Sequence, residues 1–403
     1  MIQRRLLLFC LAGWLGAWTA WGQIDPVHRE LIEAGYNQPV EGHPPPLEGY
    51  GFYYWNKPEF LRTNLTLRLA VAPTYADSEL GISGVLGPHT DLGIHVAGGG
   101  FADTYADIRQ GVYRPQESFW GHSVEGGVSL YHLFNPGQQI PLNGVLRGQA
   151  HYSFYESLGD TAPDFRLPGD HTTFSVRTGL RWGGREPVLF PPLAMELSAW
   201  YEGQFRSESG AYGSAAEPRN LAPESHLFWG EAFLGYTTPK WKHSFSLGLT
   251  AGTSVEADRF SAYRLGGYLP QASEFPLSLP GYYYQELSAK QFLVGSGNYI
   301  LPLDGRQRWN LAATASTAAV SYLPGTEQPG DWHNGVGAGV LYRTASLKLM
   351  LGYAYGVEAI RSHGRGADSL GFWMELDLKK ARETLAEQGE HNLWRGLPLI
   401  LTK

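Results

Sequence analysis

The stretch Phe174-Ser175-Val176-Arg177-Thr178-Gly179-Leu180-Arg181-Trp182 decides the fold. Read as an extended chain, it puts Phe, Val, Thr, Leu and Trp on one side and Ser, Arg, Gly and Arg on the other. The period continues nearby, where Met195, Leu197, Ala199, Tyr201 and Phe205 alternate with Glu196, Ser198, Trp200, Glu202, Gln204 and Arg206. It returns far along the chain, with Leu347, Leu349, Leu351, Tyr353, Tyr355 and Val357 set against Lys348, Met350, Gly352, Ala354, Gly356 and Glu358. One such run is a half-buried strand. A chain built of them from about residue 63 onward is a barrel wall, apolar on the bilayer side and polar inside.

Composition points the same way. Only 17% of residues are charged, against 13% aromatic, with 51 Gly and 13 Trp, whereas a soluble domain carries about a quarter charged residues. After the N-terminal segment no run of ~18 uncharged apolar residues occurs, which excludes a helical span. The fold expected is therefore all-β, a transmembrane antiparallel outer-membrane β-barrel of about fourteen strands (range roughly 12–16) between Thr66 and Leu378. Short links are expected near Gly87-Pro88, Asn135–Pro141, Gly183–Pro192, Pro239–Lys242, Asp304–Arg308 and Ala345-Ser346. Long ones alternate with them at Ala102–Ser118, Leu158–Asp170, Ser207–Ser225, Val255–Leu287, Pro324–Asp331 and Ile360–Asp368. Short periplasmic turns and long extracellular loops are what such a barrel shows. Trp120, Tyr152, Trp182, Trp229, Tyr236, Trp309, Tyr322, Trp332, Tyr342 and Trp373 are expected as interface girdles.

The chain opens with Arg4-Arg5, an apolar run from Leu6 to Trp18 and the small-x-small site Ala20-Trp21-Gly22. These are the parts of a secretory signal (residues 1–22) cleaved near Gly22/Gln23. Cys10, the single cysteine, leaves with it, so no disulfide or thiol chemistry is expected. The formal net charge of −7 becomes more negative without Arg4 and Arg5, which argues against nucleic acid as a partner. Residues 23–60, with Pro44-Pro45-Pro46 and the group Tyr50, Phe52, Tyr53, Tyr54 and Trp55, read as a periplasmic lead or plug. The barrel is then 61–380 and a periplasmic tail 381–403.

One segment resembles a known family. Residues 260–303 contain Arg264-Leu265-Gly266-Gly267, then Leu279-Pro280-Gly281-Tyr282, then a run closing on Asn298-Tyr299-Ile300-Leu301-Pro302-Leu303. This resembles the long extracellular loop and following strand of the BamA/TamA-like (bacterial surface antigen) outer-membrane barrels. Five strand-like runs follow the loop, as in that superfamily. The resemblance implies a loop folded into the lumen through Arg264, Gly266, Gly267, Pro280, Gly281 and Tyr282. Two positions depart from the family pattern. Pro280 stands where the family has a tip arginine, and Asn298 where it has an acidic residue. The resemblance therefore implies an inward loop held by Tyr282, Tyr283 and Tyr284 in place of an ion pair. The alternative is a solvent-exposed Pro-Gly turn. Gly371-Phe372-Trp373-Met374-Glu375-Leu376 is similar to the signal read during barrel insertion, with Gly371, Met374 and Leu376 at its key positions.

No catalytic constellation is found. Gly-x-Ser-x-Gly is missing, the histidines are scattered singly, and His151 reads as a lumen residue. No catalytic residue, metal or cofactor is assigned. The predicted lumen-facing residues are Arg147, Arg177, Arg181, Glu196, Glu202, Arg206, Glu231 and Asn298, with Glu375 and Asp377 across the closing seam. They form either a salt-bridge lattice that stiffens the barrel or a polarised constriction that selects solutes. The expected function is a non-enzymatic transport or translocation barrel of the bacterial outer membrane, with a porin-like passive channel or structural barrel as the alternative. Its expected partners are outer-membrane lipid and lipopolysaccharide, the barrel-assembly machinery during insertion, and a periplasmic protein of unknown identity.

Overall fold

The computed structural model describes residues 24–40, 48–184, 190–267, 275–361 and 364–387. The signal, the triple proline and most of the tail lie outside them. Sixteen antiparallel strands close into one ring. They are β1 (Arg29–Pro39), β2 (Glu48–Pro58), β3 (Leu65–Val71), β4 (Tyr75–Ile82), β5 (Thr90–Gly99), β6 (Phe119–Leu133), β7 (Leu142–Ser157) and β8 (His171–Gly184). There follow β9 (Leu193–Arg206), β10 (Glu224–Thr237), β11 (Ser244–Val255), β12 (Leu287–Pro302), β13 (Trp309–Tyr322), β14 (Trp332–Arg343), β15 (Leu347–Arg361) and β16 (Gly364–Asp377). Each strand pairs with its sequence neighbours. β1 then pairs with β16, from Leu31↔Asp377 to Pro39↔Ser369, to close the wall. Closure is obligatory in a bilayer, where a free strand edge would leave unpaired N–H and C=O groups in hydrocarbon.

This corrects two expectations. The strand number is 16 and not about fourteen, and the barrel begins at Arg29 and not at residue 61. Pro44-Pro45-Pro46 and crowded aromatics obscure the two-residue period of residues 29–58 in the sequence. The inner face of this pair alternates Glu48, Tyr50, Tyr54 and Asn56 in a way that composition alone does not show. Among the described residues, Ile24–His28 precede the wall and turn back into the mouth opposite the long loops. The Ile24 side chain packs on Gly81 of β4, and Asn56 Nδ2 donates to the carbonyls of Asp25 (2.8 Å) and Val27 (2.7 Å).

Face assignment follows from exposure. Leu351 (65%), Leu247 (64%), Val96 (59%) and Leu197 (55%) belong to an apolar belt that is exposed on the outside of the wall. Three expected girdle residues are lumenal instead. Trp229 stacks on Trp200 and lies under the Arg177 guanidinium, Trp373 Nε1 donates to Glu33, and Tyr322 bonds His333. In each case one residue of register places a ring with a polar edge where it finds a partner. After β16 a short helix, α1 (Leu378–Glu387), is capped by Asp377, whose Oδ1 accepts the Lys380 N–H at 2.9 Å.

Because β1 and β2 complete the ring, a chain lacking residues 24–60 should lose the heat-shifted gel mobility of a folded barrel. A truncated chain that kept the shift would make this segment a plug after all.

Candidate functional site

The long connections all leave one rim of the barrel, and they meet over its mouth. Tyr105 of the 100–118 loop, Phe165 of the 158–170 loop, Tyr212 and Leu221 of the 207–223 loop and Phe260 of the 256–286 loop share one apolar cluster with Phe119. Around this cluster lies an ion network. Arg259 Nη1 reaches Asp107 at 2.7 Å and its Nη2 reaches Glu217 at 3.0 Å and the Gly325 carbonyl at 3.2 Å. Arg109 bridges Asp107 (2.8 Å), Glu117 and Glu217, and Arg219 pairs with Glu117. Gly111, in its left-handed conformation (φ 71°), touches the Ile360 carbonyl, where a side chain would collide. That contact carries the loop after β5 to the end of β15, across the mouth. The long loops thus form a lid with its own small core.

Beneath the lid residues 277–286 of the 256–286 loop lie in the lumen. Tyr282 is 1% exposed and packs on His333 of β14 and Gly356 of β15. Gly281 (φ 82°) lies directly on the backbone of Tyr355 and Gly356, and the Pro280 carbonyl lies on Gly335. Glycine on both sides lets two backbones meet, so the tip seats where no other residue pair would allow it. The loop also carries an ion pair that the sequence did not reveal. Arg361 Nη1 and Nη2 donate to Glu286 Oε1 (2.9 Å) and Oε2 (3.0 Å), the guanidinium lies 3.7 Å from the Tyr283 ring centre, and both charged residues are at most 4% exposed. The expectation that aromatics replace the ion pair is therefore incorrect. The carboxylate sits on the loop and the arginine on the wall, with Tyr283 stacked between loop and wall. On the far side Glu48 of β2 accepts the Tyr284 N–H at 2.7 Å.

The remaining predicted loop residues have defined places. Arg264 donates to the Ala106 (3.0 Å) and Gln285 (2.8 Å) carbonyls and stacks on Tyr105, joining two loops. Gly266 (φ 137°) lies against the Tyr283 carbonyl and Gly267 bridges to Leu279.

All ten predicted lumen charges and polar groups lie on the face opposite the apolar belt, but they do not converge on one point. Arg177 pairs with Glu202 (2.6 Å), Arg206 with Asp258 of the lid (2.7 Å), and Glu375 with Lys348 (2.5 Å). Arg147 donates to Ser129 (3.0 Å) and Tyr131 (3.3 Å). Arg181 faces Ser198, Glu196 lies opposite Gly183, Glu231 opposite Ser198 and Thr250, and Asn298 Nδ2 donates to Ser246 (3.1 Å). Asp377 caps α1. Gly371 lies on the inner face opposite Asn37, with Met374 and Leu376 on the outer face of β16. His151 is more than lumen filler. Its two ring nitrogens lie 2.8 Å from Asp103 of the lid and 2.8 Å from Glu125 of β6, an arrangement that an imidazolium with two N–H donors satisfies.

Comparison with known proteins was informative only through structure, since no family model and no curated protein matches the chain. CdiB from Acinetobacter baumannii superimposes with a TM-score of 0.55 at 11% identity, over 87% of this chain and 60% of CdiB. BamA from Haemophilus ducreyi lacking POTRA domains 1-3 gives 0.53 at 10%, over 86% and 70% of the two chains. CdiB from Escherichia coli gives 0.53 at 9%, over 86% and 63%. The fold is that of the BamA and CdiB outer-membrane barrels. This chain spans about three fifths of the CdiB chains, and at such identities the likeness is one of architecture.

Two outcomes follow. Arg361→Ala leaves Glu286 buried without its cation, at a cost of about 3–5 kcal/mol. The 256–286 loop should become cleavable by added protease while the wall stays folded, and the Glu286→Gln/Arg361→Gln double variant should recover most of the protection. In the lid, burial alone would raise the Glu217 carboxyl, but the Arg109 hydrogen bond and charge, with Arg219 and Arg259, hold it below the ordinary 4.5. A depressed carboxylate contributes stability that is present above its unfolded value and lost as pH falls through its folded one. Protease resistance of residues 207–223 should therefore be constant above about pH 5 and fall below about pH 4. Glu217→Gln should flatten that dependence.

Proposed function

We propose that the protein is a non-enzymatic transport or translocation barrel of the outer membrane, in which the 256–286 loop gates a lumen that its extracellular lid keeps shut. The observation that carries this reading is the seating of the loop tip. Gly281 and Tyr282 lie on the inner wall of β14 and β15, and Glu286 is buried on Arg361. A loop that served only as an external turn would gain nothing from an ion pair whose removal from water is costly. The polar inner wall, including Arg177, Glu202 and Arg147, supports passage of hydrophilic cargo. The exposed apolar belt supports lipid and lipopolysaccharide as its surroundings. Gly371, Met374 and Leu376 on the last strand would be read by the assembly machinery at insertion, and the periplasmic mouth, where Ile24–His28 lies, is where a periplasmic partner would engage.

A porin-like passive channel needs a standing path through the mouth, which the lid argues against. In planar bilayers the wild-type protein should show rare, small openings. Arg361→Ala should raise mean conductance several-fold by freeing the loop. Steady porin-like conductance in the wild type would favour the passive channel, and an unchanged Arg361→Ala trace would remove the loop as the gate.

A further inference from the structure

Below the lid lies a cavity of about 540 Å³ that neither the gate nor the fold explains, within the ~300–1,000 Å³ range of small-molecule sites. Its two sides differ in chemistry. Strands β7–β9 present Gln149, Ser153, Ser175, Glu202 and Gln204, while the lid and the gate loop present Tyr105, Phe260, Phe275 and Tyr284. One side thus offers planar amide and carboxylate groups with hydroxyls, and the other sets aromatic faces beside Thr104, Arg264 and Gln285.

Most of the lining charges are paired. Arg206 is taken by Asp258, Glu202 by Arg177, and Arg259 by Asp107 and Glu217. His151 sits between Asp103 and Glu125, an excess of one negative charge, and Arg264 donates to backbone carbonyls, an excess of one positive. These two residual charges, one negative and one positive, offset each other, so the lining carries no net charge and a singly charged ligand would lie there without a net counter-charge. A neutral molecule needs none. Gln149 and Gln204 each carry an amide with donors and an acceptor. Their bonds to Glu125 (3.5 Å) and Glu202 (2.7 Å) use one donor each.

We propose that this cavity binds a neutral carbohydrate, with its hydroxyls on Gln149, Gln204 and the serines and its C–H face against the aromatic side. A sugar ring has this two-sided character, an apolar face within a rim of hydroxyls that each donate and accept. The assignment rests on the capped-lumen reading and names the solute class that would occupy it.

The test is calorimetric titration of glucose and maltose into detergent-solubilised full-length protein whose fold is checked by heat-shifted mobility. Saturable binding of one of them is expected. Gln149→Leu/Gln204→Leu should weaken it roughly tenfold or more through lost hydrogen bonds, and glucuronate and glucosamine should bind roughly tenfold less tightly or worse. No saturable binding of either neutral sugar, an unaffected double variant, or equally tight binding of a charged sugar overturns the proposal. Conductance of Arg361→Ala separates the two claims. Sugar binding with unaltered conductance would leave the site standing and sink the gate, and the reverse pair of results would do the opposite.

Discussion

Everything in this molecule depends on the pairing of β1 with β16. The other fifteen strand junctions are reinforced by a covalent connection, whereas Leu31–Pro39 and Ser369–Asp377 are held by backbone hydrogen bonds and side-chain contacts alone. In hydrocarbon an open edge is prohibitively costly, so this seam turns a chain of hairpins into a membrane protein. Its inner side is furnished accordingly. Glu33 lies opposite Glu375, yet each has its own partners, Tyr50 (2.9 Å) and Trp373 (3.0 Å) for Glu33 and Lys348 for Glu375, so the facing carboxylates do not drive the seam apart.

The 256–286 loop connects to strands on both sides of that seam. Glu48 of β2 takes the Tyr284 N–H, and Arg361 of β15 takes Glu286. A loop anchored in this way cannot leave the lumen without exposing two carboxylates and one guanidinium that are now buried together. Its release would require the Glu286–Arg361 pair to break. The lid above adds Arg259 and Arg264 from the same loop to Asp107 and Ala106 of another, so release of one loop loosens the other.

Much of the wall was legible in the sequence, because two-residue alternation is imposed by strand geometry and needs no partner to be seen. The runs around Phe174, Met195 and Leu347 are wall strands in the register their alternation implies. β1 and β2 were missed because Glu33, Tyr50, Tyr54 and Asn56 face inward among aromatics on both faces, which blurs the period. The buried pair was missed for another reason. Glu286 and Arg361 are 75 residues apart, and in a single sequence a charge beside a strand end is indistinguishable from a solvated one. The departures at Pro280 and Asn298 suggested that an ion pair had been lost, when a loop carboxylate and a wall arginine supply one in the opposite sense. The lid network, drawn from Asp107, Glu117, Glu217, Arg109, Arg219 and Arg259 on three loops, is likewise a property of the folded mouth alone.

Hydrogen exchange across residues 277–287 in lipid nanodiscs tests the central claim most directly. Amides of Leu279, Tyr282, Tyr283, Tyr284 and Glu286 are bonded within the loop or to Glu48 and Glu286 side chains. The account predicts protection approaching that of β12, sharply reduced in Arg361→Ala. Exchange as fast as in an unstructured peptide in the wild-type protein would contradict it.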